Sequence, residues 1–86
     1  MDINELISIV KEKLENQISI QNIKIEDKSF LHKGHKNNDE NKFHLKLTLS
    51  SSELSQMSKI DGNRKIHKVL KKELDKYIHS LQILIS

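Results

Sequence analysis

Apolar residues recur first at helical spacing, at Ile3, Leu6, Ile7, Val10 and Leu14, which places them on one face of an amphipathic helix. Asp2 with Glu5 three residues later forms a capping-box pattern, so this helix is expected from about residue 3 to Asn16. Ile23 and Ile25 then alternate with polar neighbours and run into Asp27, the expected end of a first strand. Ile18 and Ile20 belong either to the beginning of that strand or to an apolar linker leading to it. From Lys28 to Lys42 the sequence is polar and aperiodic, carries Gly34 and an Asn-Asn-Asp-Glu-Asn run, and reads as a long exposed loop.

Phe43, Leu45, Leu47 and Leu49 alternate with His44, Lys46, Thr48 and Ser50, the pattern of a strand with one buried face and with His44 directed away from the core. Ser50-Ser51-Ser52-Glu53 repeats the capping-box spacing and predicts a short helix containing Leu54 and Met57, stopped before Asp61-Gly62. In a third helix Ile66, Val69, Leu70, Leu74, Tyr77 and Ile78 share one face, and Arg64, Lys65, Lys68, Lys71, Lys72 and Lys76 crowd the other. Glu73 falls within the apolar arc, where an unpaired carboxylate would be costly, so it is expected to reach the rim and find a donor. Leu81, Ile83 and Ile85 alternate as a closing strand.

The order α-β-β-α-α-β, with one apolar face on each element, predicts a two-layer α+β sandwich in a single domain spanning residues 1–86. The first two strands should be antiparallel, whereas the second and third are joined through helices and can be parallel, giving a mixed three-stranded sheet. The strand from Phe43 to Leu49 and the helical stripe from Ile66 to Ile78 are expected to form the centre of the core.

A chain of 86 residues supports one core with little margin. Phe30, Phe43 and Tyr77 are its only aromatic residues, so that core rests on Ile and Leu. No apolar run approaches the roughly 20 residues needed to span a bilayer. The start Met1-Asp2-Ile3-Asn4-Glu5 lacks the pattern of a signal peptide, and a cytoplasmic location is the expectation. A formal charge of +3 permits a nucleic acid or an acidic partner without requiring either. With no cysteine nucleophile, no nucleotide loop and no paired carboxylate with a histidine at a recognisable spacing, the protein is not expected to be an enzyme.

Candidate chemistry lies in the histidines. His32 and His35 stand in the polar loop, His44 on the second strand, and His79 just before the closing strand. With no cysteine in the chain, any soft-metal site must use imidazole and be completed by ligands from elsewhere. The bland alternatives are solvated loop histidines and, for His79, a helix C-terminal imidazole facing the macrodipole. His67 reads as structural. His32-x-x-His35 with His44 would make a three-histidine zinc site, but it lacks the helical scaffold and carboxylate of metalloenzyme motifs, which favours adventitious nickel or zinc binding over catalysis. Arg64, Lys65, Lys68 and Lys72 are the candidates for phosphate contacts with DNA or RNA. Asp75 interrupts that stripe, and neither Gly34 nor Gly62 belongs to a Gly-x-x-Gly loop, so a solvated face is the favoured reading.

Several pieces in a fixed order carry a family resemblance: Asp27-Lys28-Ser29 followed by His32-Lys33-Gly34-His35, Phe43-His44-Leu45, Ser50-Ser51, Arg64, Lys72-Glu73-Leu74 and Ile78-His79-Ser80-Leu81. Together the chain resembles the BolA family, and from His44 to Leu81 the pattern fits without a gap. Departures are Gly62-Asn63-Arg64 where the family usually has an Arg-His-Arg triplet, and Leu54 and Gln56 where it has a phenylalanine and a glycine. The resemblance implies an αββααβ class II KH-like fold. It also implies partnership with a monothiol glutaredoxin bearing a Cys-Gly-Phe-Ser motif, in a heterodimer that shares a [2Fe-2S] cluster in iron-sulfur trafficking or iron regulation. By that resemblance His79 matches the family's C-terminal ligand histidine. A second ligand comes from the loop before the second strand, with His35 and His44 the leading candidates and His32 the third. Glutaredoxin and its bound glutathione would supply the thiolates, no cofactor would be needed for folding, and the apo form would be a monomer or weak homodimer. The alternative is a KH-like nucleic-acid-binding transcriptional regulator acting through Arg64, Lys65, Lys68 and Lys72.

Overall fold

The computed structural model describes residues 1–29 and 42–86. In chain order its elements are α1 (Ile3–Gln17), β1 (Asn22–Asp27), β2 (Phe43–Ser50), α2 (Ser52–Ser55), α3 (Lys59–Val69), α4 (Lys71–Lys76) and β3 (Ile78–Ile85). Asp2 caps α1, its Oδ1 accepting from the Glu5 N–H at 2.8 Å, and so satisfies a donor that the first turn would leave open. The helix buries Leu6, Val10 and Leu14. Ile18 and Ile20 form the linker to β1 instead of its first residues, with Ile18 buried.

The sheet order is β1-β2-β3, so β2 is central. β1 runs antiparallel to it, with Ile23 opposite Leu49 and Ile25 opposite Leu47. β3 runs parallel to it, with Leu81, Ile83 and Ile85 opposite Leu45, Leu47 and Leu49. Register thus lines up one apolar row across all three strands. The helices bury that row: Leu47 and Leu70 are both wholly inaccessible, in one cluster with Leu6, Val10, Leu14 and Ile66. This is the expected α+β arrangement with a mixed three-stranded sheet. Among the described residues no helix is long and apolar enough to cross a membrane.

The helical segment between β2 and β3 departs from expectation. Ser51, not Ser50, caps α2, which ends at Ser55 and leaves Met57 beyond it. α3 begins ahead of Asp61-Gly62, because Ser58 Oγ accepts from the Asp61 N–H at 3.1 Å and starts a new helix there. Gly62 lies buried inside that helix, and a Cβ added to it would sit 3.2 Å from Ile85 Cδ1. Glycine here allows α3 to approach the end of β3 closely and does not stop the helix. The single long third helix is in fact α3 and α4, which meet at Leu70 (φ −98°, ψ 15°). Hydrogen bonds still run from Leu70 N–H to Ile66 O at 3.0 Å and from Leu74 N–H to Leu70 O at 2.8 Å, so the break is a kink around a fully buried side chain. Neither proline nor glycine announces it. β3 opens at Ile78, so His79 belongs to the strand and not to a helix C-terminus.

Glu73 does not reach the rim. It is 3% exposed, and the donor comes to it: Lys13 Nζ lies 2.7 and 3.0 Å from its carboxylate oxygens, joining α1 to α4.

Ser51 joins two elements through one hydroxyl. Buried, it accepts from the Leu54 N–H at 3.1 Å and donates to the Ser19 carbonyl at 2.6 Å. Ser51→Ala removes the cap and strands both partners, with an expected loss of about 1–2 kcal/mol in urea denaturation. Glu53 makes a second tie to the same linker, accepting from Ser19 N–H at 3.1 Å and from the Lys65 ammonium. The Lys65 hydrogen bond, then that of Ser19, holds the Glu53 carboxyl below its ordinary value of 4.5; Lys28 does the same for Glu26. Because the folded pKa values are depressed, the stabilisation is present above the ordinary carboxylate range and is lost as pH falls through the folded values. Stability should therefore decline as pH falls below the ordinary carboxylate range, and Glu53→Gln should flatten that decline.

Candidate functional site

β2 and β3 bring two histidines side by side. Their pairing runs residue for residue from His44 opposite Ser80 to Leu49 opposite Ile85, but Phe43 faces Ile78, so the register shifts between Phe43 and His44. His79 is the extra residue on β3. A bulge of this kind re-aims the side chains beside it. Here the His44 and His79 ring centroids are 4.8 Å apart with planes inclined at 48°, and Ser80 Oγ lies 2.7 Å from His44 Nδ1.

The two rings differ in environment. His79 is exposed, whereas His44 is only 4% exposed. The alternation of β2 does turn His44 off the apolar face, as expected, yet the residue is buried there, beside the bulged start of β3. Its backbone is held from the β1 side as well. The His44 N–H donates to Ser29 Oγ at 3.1 Å, and its carbonyl accepts from the Lys28 N–H at 2.7 Å. Ser29 is itself set by donating its N–H to Asp27 Oδ1 at 2.9 Å. Asp27-Lys28-Ser29 is therefore a turn that docks the exit of β1 against the first residues of β2.

Of the other candidates, His32 and His35 lie outside the described residues, and with them the proposed three-histidine zinc set. Among the described residues no group of three or more His, Cys, Asp or Glu side chains is placed to hold a metal ion. His67 is exposed in the last turn of α3. Arg64, Lys68 and Lys72 are exposed, and Lys65 is paired with Glu53. Ser80 and Ser29 are the residues that sequence reasoning passed over. Both stand inside the quoted motifs, but only the register of β2 against β3 and the turn after β1 reveal what they touch.

The model of the BolA-like protein family matches residues 14–86 of this chain. The chain belongs to that family. Among solved structures, this BolA-like protein is similar to the BolA domain of SufE1 from Arabidopsis thaliana, at 29% identity and a TM-score of 0.79, covering 92% of this chain and 87% of that one. It is similar to BolA1 from Arabidopsis thaliana at 28% identity and a TM-score of 0.77, with the same coverage of 92% and 87%. BolA1 from Mus musculus follows at 26% identity and a TM-score of 0.72, over 90% of this chain and 60% of that one. No curated protein matches.

The donors brought together at the starts of β2 and β3 are imidazole nitrogens. An exposed imidazole stands beside a second imidazole in a chain without thiols. Nitrogen donors of this kind suit iron, copper and zinc.

Proposed function

We propose that this BolA-like protein is a non-enzymatic adaptor that shares a [2Fe-2S] cluster with a monothiol glutaredoxin of the Cys-Gly-Phe-Ser type, in iron-sulfur trafficking or iron regulation. The observation that supports this is the His44–His79 pair at the bulged start of β3, in a cysteine-free member of the family. His79 supplies one imidazole, and the second comes from the set His35, His44 and His32. Lacking thiols, the chain leaves the thiolates to the glutaredoxin cysteine and its bound glutathione. Such mixed nitrogen and sulfur ligation raises a cluster's potential relative to all-thiolate ligation. On this reading the fold rests on the apolar residues packed under the sheet, and the cluster is acquired by the folded protein.

The test is reconstitution of the purified protein with a glutathione-loaded monothiol glutaredoxin under anaerobic conditions. A one-to-one complex with visible absorption and circular dichroism bands distinct from those of the glutaredoxin alone is the expected result. An unchanged glutaredoxin spectrum overturns the proposal. Reversing Lys68 and Lys72 to Glu should leave those bands intact. Sequence-selective binding of DNA or RNA that survives physiological salt, and is lost in that variant, would move the function to the face bearing Arg64, Lys65, Lys68 and Lys72.

A further inference from the structure

We infer that Ser80 and His44 form a positioning pair that sets the direction of the His79 ring, so that His44 acts on His79 and is not itself a ligand. This rests on the adaptor reading above and divides the roles within that site.

Exposure separates the two imidazoles. A group shared between two proteins must be reached from outside by both, and the exposed His79 meets that condition while His44, at 4% exposure, does not. Commitment separates them as well. His44 Nδ1 is taken up by Ser80 Oγ at 2.7 Å, and its main-chain N–H and carbonyl are both bonded to the turn after β1, at Ser29 and Lys28. A side chain so held is a firm surface, and the His79 ring packs on it at 4.8 Å. Metal-ligating histidines are generally oriented by such neighbours, whose loss weakens metal affinity about 10- to 100-fold. The bulge makes the arrangement possible, because it brings His79 and Ser80, adjacent in sequence, to the same histidine. In a regular strand these neighbours would point to opposite faces.

Ser80 is exposed, so replacing it should not disturb the core. In histidine-labelled apo protein, NMR should find the His44 ring held in one orientation in the parent and in Ser80→Thr, and averaging between orientations in Ser80→Ala. The reconstituted heterodimer of Ser80→Ala should keep the parent's band positions but lose its cluster about tenfold faster, and Ser80→Thr should restore the parent lifetime. His44→Asn, which keeps an amide near the Nδ1 position, should likewise retain the form of the spectrum with a shortened lifetime. Bands erased by His44→Asn as completely as by His79→Ala would make His44 a ligand and overturn the inference. An unchanged His44 ring orientation and cluster lifetime in Ser80→Ala would also overturn it. Should His44→Asn fail to unfold cooperatively, the Ser80 variants decide alone. If His79→Ala leaves the bands untouched, the adaptor reading fails, and the apo NMR result still decides whether Ser80 holds His44.

Discussion

His79→Ala is expected to abolish the distinctive absorption and circular dichroism of the cluster-bridged heterodimer while leaving the stability of the protein within about 0.5 kcal/mol of the parent. The side chain is exposed on a bulged edge strand, outside the apolar cluster that carries the fold, so its removal opens no cavity. Its only described ring contact is with His44. Function and stability should therefore separate cleanly, which a denaturation curve and a reconstitution titration on the same sample will show. His79→Cys sharpens the result: thiolate in place of imidazole should permit a cluster again, with shifted bands and a lower reduction potential. Unchanged bands in His79→Ala would mean that the ligand lies elsewhere, and family membership would then speak only for the fold.

The largest expected loss of stability belongs to Lys13. Lys13→Met leaves the Glu73 carboxylate, its side chain 4% exposed, without its counter-charge. Breaking a buried pair by removing one partner costs about 3–5 kcal/mol, and about 3 is expected here because the Lys13 side chain is itself 39% exposed. The double variant Lys13→Met with Glu73→Met should recover most of that loss, since two apolar side chains can fill the same space. Glu73→Gln should cost less than Lys13→Met, because an ammonium on a long stem can turn outward to water. A double-mutant cycle read by urea denaturation measures the coupling. Equal and small effects for both single variants would show that the pair contributes little.

Alternation and helical spacing are properties of contiguous residues, and where the fold depends on them it was legible. The Phe43–Leu49 alternation, the α1 stripe and the mixed sense of the sheet all follow from local period and the length of the connections. What stayed hidden depends on contacts between distant residues. Gly62 looks like a helix stop until Ile85 is seen packed above it. The break at Leu70 falls at a fully buried residue, with no proline or glycine beside it to announce it. Glu73 was conspicuous on the helical wheel, but its partner is 60 residues away. For the candidate site, the sequence pointed to His44 and His79 as residues of interest, yet by alternation alone His44 would be solvent-facing. It is nevertheless buried, beside a one-residue slip in the pairing of β2 with β3, and such a slip leaves no mark in either strand's own sequence.

The parallel pairing of β2 and β3 also bears on when the imidazoles meet. No hairpin can bring these strands together; the chain must first pass through α2, α3 and α4, and the His44–Ser80 bond closes over 36 residues. Contacts of such separation form late compared with helical turns, because loop-closure entropy is lost before the contact rewards it. A chain still emerging or refolding therefore carries scattered single histidines, each a weak and solvated ligand. The adjacent pair comes into being only when the last strand docks, so the paired imidazoles arrive together with completion of the fold and not before it.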